Sequence, residues 1–158
     1  RATYIQDPMA LLCKGTQVLV DPDGTCRRVE QLEVGDTVFD PLAQSLNSVI
    51  NIVPWVAGTD PSTAPVIIPK HAINSAQPSE DFIAPQTLEV FVARIPKGQK
   101  MPIAKRILAR DLVDEGVASI AEQLSSLQCY LVLTEKAGLM MTNGVLSVAK
   151  STPQQKSA

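Results

Sequence analysis

Aromatic side chains make up only 4% of this 158-residue sequence, and it contains a single histidine. So few aromatics leave no stacking platform for single-stranded nucleic acid, and Val, Ile, Leu and Ala must fill the core. A net charge of −2 offers no general attraction for polyanions. No apolar run approaches the roughly 20 residues of a membrane span, and the opening residues carry no secretory signal pattern. The sequence has no Gly-rich phosphate loop, no Ser-His-Asp arrangement and no cluster of metal-ligating residues. No cofactor, metal, nucleic acid, membrane or small-molecule substrate is therefore expected. Three cysteines (Cys13, Cys26 and Cys129) are an odd number, which argues against a disulfide framework and leaves room for one pair at most. The first residue is Arg1 rather than Met, which reads as a piece of a longer or processed protein and leaves its compartment open.

What is present reads as one globular domain. Apolar residues at 45% against 19% charged exclude wholesale disorder, and the length suffices for a sizeable core. Residues 13–40 organise the rest. Three short β-type runs at 17–20, 26–29 and 37–39 are divided by two turns, Asp21-Pro22-Asp23-Gly24 and Glu33-Val34-Gly35-Asp36. Leu32 and Val34 are expected to point inward beside the second turn, and Cys26 and Cys129 to be strand core residues. Residues 9–12 lead into Cys13 as a strand, further strands are predicted at 46–56, 66–68, 88–95, 101–107, 130–133 and 139–141, and residues 82–84 lead into Pro85-Gln86-Thr87. Pro54 should confine its strand to an edge or bend. A short turn or helical piece is predicted at 109–113, and the apolar stripe Ile120, Ala121, Leu124, Leu127 predicts a short helix over 118–127. Residues 57–65 are loop chemistry. The expected division is a leader or arm at 1–12, a β domain at 13–149 and a flexible tail at 150–158.

A long-range pattern also repeats. Val18, Val20, Gly24, Val29, Leu32, Asp36 and Val38 match Val90, Val92, Gly98, Ile103, Ile107, Asp111 and Val113 at an offset drifting from 72 to 75. Two duplicated β-subdomains would produce such a pattern, with Leu32, Val38, Ile107 and Val113 buried. The alternative is two unrelated hairpins of similar composition.

The opening block, Cys13 before Gly-Thr-x-Val-x-Val, then Asp23-Gly24, then Val29-Glu-x-Leu-x-Val-Gly-Asp, resembles that of the Hint (hedgehog/intein) domains, closest to the bacterial hedgehog-type branch. Residues 65–70, 80–90, 105–116 and 129–144 resemble the blocks that follow, in the same order. The resemblance implies an all-β, Hint-like fold of two pseudo-twofold-related β-subdomains with one or two short helices. It also implies autoprocessing: the thiol of Cys13 attacks the Leu12 carbonyl in an N-to-S acyl shift, and a general acid protonates the leaving nitrogen.

The acid is where this sequence departs from the family. Thr87 stands in the place of the family's histidine, and the closing-block histidines fall at Val132 and Ala137. His71 lies outside all of these positions, and only Lys14 separates Cys13 from Gly15. Asn143-Gly144 resembles the asparagine that ends an intein, but no histidine precedes it and Gly follows it, so it reads as a turn. Lys136 and the basic stretch 94–110 read as solvated faces. The leading expectation is a degenerate Hint-like domain acting as a structural or protein-interaction module. Tyr4, Ile5, Met9, Leu11 and Leu12 of the arm, the loop 57–65 beside Trp55, and the stretch 94–110 offer surfaces for a protein partner or for self-association. The alternatives are an active, self-cleaving domain that uses Cys13, and an unrelated β-barrel binding domain.

Overall fold

The computed structural model describes residues 11–56, 64–121 and 127–151. Strands form where β-branched and Leu residues alternate between turns: β1 (Leu11–Cys13), β2 (Gln17–Leu19), β3 (Cys26–Arg28), β4 (Thr37–Asp40), β5 (Ser45–Val56), β6 (Val66–Ile68) and β7 (Phe82–Ala84). β8 (Glu89–Arg94), β9 (Ile103–Leu108), β10 (Ser119–Ile120), β11 (Gln128–Thr134), β12 (Gly138–Thr142) and β13 (Val145–Ala149) follow. The helical parts are a 3₁₀ turn at Val29–Gln31 and one α-helix, α1 (Ala109–Asp114). The β2–β3 turn works as its chemistry requires: the Gly24 N–H donates to Asp21 O at 3.2 Å, and Gly24 takes φ +100°.

The largest sheet explains the repeat. Its order, β3-β2-β12-β13-β8-β9, is palindromic in kind, because the hairpin β12–β13 is flanked on each side by another hairpin. Each flanking hairpin runs into a helical turn, and the two junctions match. The Val29 N–H donates to Thr16 O, and the Ala109 N–H to Leu88 O. Val18 pairs with Arg27 where Val90 pairs with Ile107, so the offset grows from 72 to 80 across the second hairpin rather than to 75. Leu112, fully buried, is thereby the counterpart of Leu32. Leu32 and Val38 are buried as expected, whereas Ile107 and Val113 are half-buried against the core.

A four-stranded sheet, β1-β11-β5-β4, and a three-stranded one, β10-β6-β7, complete the fold. Pro54 sits opposite Tyr130 in the half of β5 that β4 does not reach, so its missing N–H breaks no ladder there. Val34 and residues 118–127 also depart from expectation. Val34 is 62% exposed, because the Glu33–Asp36 turn places Gly35 at φ +102° and turns Val34 outward. The helix expected over 118–127 begins instead as a strand: Ser119 and Ile120 pair with Ile67 and Val66, and residues 122–126 lie outside the described residues. β13, with its alternating Val145, Ser147 and Ala149 all buried, was not anticipated.

The main core gathers Leu12, Val18, Val38, Phe82, Leu88, Leu112, Val132 and Met140, among others. Because successive strand residues point to opposite faces, Leu11 and Cys13 belong to a second cluster with Cys129, Leu131 and Leu133, against which Val53, Ile83 and Leu127 pack. Leu11 and Leu12, assigned by sequence to an arm, are thus core residues of this chain's own fold. Residues 1–10 lie outside the described residues.

Candidate functional site

Strand register decides what faces Cys13. β1 and β11 run antiparallel with Leu12 opposite Tyr130 and Cys13 opposite Cys129. The Lys14 N–H donates to Gln128 O at 2.9 Å, one residue beyond the cysteine pair on each strand. That bond marks Cys13 and Cys129 as a non-hydrogen-bonded pair, the arrangement in which opposed side chains come closest. Their sulfurs lie 3.4 Å apart, in hydrogen-bond contact. Cys13 is fully buried and Cys129 nearly so, and both thiols are free. The contact with Cys129 pushes the Cys13 thiol well above its ordinary value, and burial adds to the shift. The Cys129 thiol donates to the Cys13 sulfur, and the same contact lowers Cys129, because Cys13 can donate to it in turn once it ionises. Of the two sulfurs, Cys129 is therefore the one that ionises first.

The peptide that an acyl shift would break lies in the same ladder. With Cys13 in the non-hydrogen-bonded pair, the register makes Leu12 and Tyr130 the pair that exchanges backbone bonds, which ties up the Leu12 carbonyl. The chain then turns at once. The Thr16 N–H donates to Cys13 O at 3.1 Å, and Gly15 takes φ +96°, so the one-residue spacing between Cys13 and Gly15 produces a tight turn. Glu30 accepts from the Gly15 N–H at 2.8 Å through Oε1. Among the described residues, no titratable side chain is hydrogen-bonded to the Leu12–Cys13 peptide.

Thr87 follows β7, whose Ile83 packs on the Cys13 cluster. Backbone bonds from Leu88 N–H to Pro85 O and from Arg110 N–H to Gln86 O hold the turn around it. Its hydroxyl is buried without a partner. An unpartnered buried hydroxyl costs about 1–3 kcal/mol, so packing alone gives no reason for Thr over Val here. No hydrogen bond links Thr87 to Cys13. His71 is exposed, at φ +61°, and its N–H donates to Pro78 O. Val132 is a fully buried core residue, and Ala137 is an exposed turn residue. Cys26, expected in the core, is exposed, because β3 is a three-residue edge strand with every side chain facing solvent.

Two residues matter more than sequence reasoning foresaw. The only hint of Cys129's proximity to Cys13 was that one disulfide pair was possible, since the contact depends on register between strands 116 positions apart. Asn143, read as a turn residue, does occupy the two-residue β12–β13 turn, at φ +48° before Gly144 at +80°. Its side chain also clamps two other segments. Oδ1 accepts from the Gln17 N–H at 2.7 Å, and Nδ2 donates to Asp81 O at 3.1 Å. In the basic stretch, Arg94 pairs with Glu115 and Arg106 with Glu89, each at 2.7 Å. Lys136 is exposed. Among the described residues, no group of His, Cys, Asp and Glu could hold a metal ion, and no helix is long and apolar enough to cross a membrane.

No protein-family model and no curated protein sequence matches this chain. Among solved structures it is similar to the gp41-1 intein, with a TM-score of 0.52 and 14% identity over 87% of this chain and 97% of that one. It is also similar to a bacterial intein-like domain from Clostridium thermocellum, with a TM-score of 0.51 and 12% identity over 89% of this chain and 99% of that one. Identities this low carry the fold alone. The chain has the all-β, Hint-like fold of inteins and bacterial intein-like domains.

Proposed function

We propose that this Hint-like domain no longer cuts its own chain and serves as a structural or protein-binding module. The observation that carries the reading is the setting of Cys13. An acyl shift needs a thiolate at Cys13 and a proton for the nitrogen that leaves the Leu12 carbonyl. Burial and the Cys129 contact keep the Cys13 proton in place, and no titratable group among the described residues bonds to that nitrogen. The position that the family resemblance gives to the acid holds Thr87, whose hydroxyl does not titrate near neutral pH. Absence of a general acid typically costs ~10²–10⁴ in rate. The peptide therefore stays an amide. Incubating the purified chain with hydroxylamine or dithiothreitol is expected to leave its mass unchanged. A loss of residues 1–12 that disappears in Cys13→Ala would overturn the reading in favour of active autoprocessing.

An uncut chain keeps residues 1–12 attached, and the sequence of that stretch is rich in apolar side chains, Tyr4, Ile5 and Met9 among them. Strand addition to a neighbouring copy would bury such side chains, because backbone bonding at an open edge needs only an extended segment. β9 offers such an edge, with Ile95, Met101 and Ile103 exposed around it. Light scattering is expected to give a mass above the 17.0 kDa of one chain, falling to a single chain when residues 1–10 are deleted. A single-chain mass for the intact protein would rule out self-association.

A further inference from the structure

We propose that Cys13 and Cys129 are a reversible redox pair, joined into a cross-strand disulfide by exchange with a low-molecular-weight disulfide. The inference stands whether or not the Leu12–Cys13 peptide is ever cut. It starts from the ladder. The two cysteines are directly opposed in a non-hydrogen-bonded antiparallel pair, where Cα atoms sit about 4.5 Å apart. That separation lies inside the roughly 4.4–6.8 Å that a disulfide spans. The sulfurs are already 3.4 Å apart on the same face of the sheet, and rotation about the side-chain bonds brings them to a bond length of about 2.05 Å with the strands in register. Leu11, Leu131, Leu133, Val53 and Ile83 surround the pair, and besides the sulfurs themselves the Leu127 carbonyl oxygen, 3.7 Å from the Cys129 sulfur, is the hydrogen-bonding partner recorded for either thiol among the described residues.

The chemistry balances within the pair. Cys129, the thiol that ionises first, attacks one sulfur of the small disulfide, forms a mixed disulfide and expels one thiolate, which takes up a proton. Cys13 then loses its proton and attacks the Cys129 sulfur, which expels the second small thiol. Two protein thiols become one disulfide, and one small disulfide becomes two thiols. Access comes from the edge: among the described residues β1 pairs only with β11, so local opening there admits a small reagent without global unfolding. Exposed Cys26 has no cysteine facing it and reacts only as a single thiol. Closing the bond does two things. It removes the one sulfur able to attack the Leu12 carbonyl, and it fastens the first described strand to a strand 116 positions later.

The test uses the full chain carrying Cys26→Ser, or the wild-type chain with exposed Cys26 alkylated first should that variant fold poorly. Oxidation with glutathione disulfide, followed by denaturing alkylation, is expected to give a species about 2 Da lighter than the reduced chain that carries no new label. Non-reducing peptide mapping should join the peptides containing Cys13 and Cys129. Because the closed loop is long, the oxidised form should melt roughly 10 °C higher, and dithiothreitol should reverse the shift. Adding Cys13→Ser should stop the reaction at a persistent glutathione adduct on Cys129. Two full alkylations after oxidation, or a glutathione adduct that persists while Cys13 is present, would overturn the proposal.

Discussion

Phe82→Ala is expected to lower stability by about 3–5 kcal/mol, read as a drop in denaturant midpoint with an unchanged slope. Phe82 is the largest side chain that is wholly buried, and it enters the main core from β7, the end strand of the three-stranded sheet. It sits on β7, opposite Ile68, while its neighbour Ile83 turns the other way and packs on the cluster around Cys13 and Cys129. β7 therefore ties the two clusters together, and truncating Phe82 opens a cavity on one side of that tie. Against a typical total of about 5–15 kcal/mol, the loss is a large fraction of what holds the domain folded. Phe82→Leu keeps most of the volume and should cost less than about 1.5 kcal/mol. A loss below about 1 kcal/mol in Phe82→Ala would mean that the site collapses freely and that β7 is not held as described.

How much of this was legible in the sequence depends on the range of the interaction. The turns were readable because their chemistry is local: Asp21-Pro22-Asp23-Gly24 and Asn143-Gly144 carry their backbone requirements within four residues. The repeat was readable as a pattern, but its length was not. The second hairpin is longer by eight residues rather than three, and apolar positions in β9 suggested equivalences that the pairing of Val90 with Ile107 corrects. Local patterns misled where an edge left strand residues in water. Cys26 looked like core because it lies in a β-type run, yet β3 has solvent on both faces. The stripe at 118–127 had helical spacing, but Ser119 and Ile120 pair with β6. The candidate site was the least legible part. Cys13 could be named from its motif, whereas its facing partner Cys129 follows only from the register of two distant strands.

Asn143→Ala is expected to cost about 2–4 kcal/mol, from two separable causes. The first is conformational. Asn143 sits at φ +48°, a left-handed region that Ala enters only at a cost of roughly 1–2 kcal/mol. The second is the loss of its amide. The Gln17 N–H would lose its acceptor and Asp81 O its donor at a position where Asn143 is only 6% exposed. Asn143→Gly separates the two, because Gly accepts the left-handed backbone and removes only the side-chain bonds. It should fall between wild type and Asn143→Ala, with about 1 kcal/mol dividing the two variants. Asn143→Asp keeps the acceptor for Gln17 but sets an oxygen against Asp81 O, so it should be destabilised without any conformational cause. The amide oxygen that holds the Gln17 N–H, together with the backbone bonds from Asn143 N–H to Gln17 O and from Ser79 N–H to Asn143 O, fixes this residue as the joint between β2, the 79–81 segment and the central hairpin. Four hydrogen bonds thus hold Asn143 to Gln17, Ser79 and Asp81. Equal stability of Asn143→Gly and wild type would show that the side chain carries none of this load and that only the turn geometry matters.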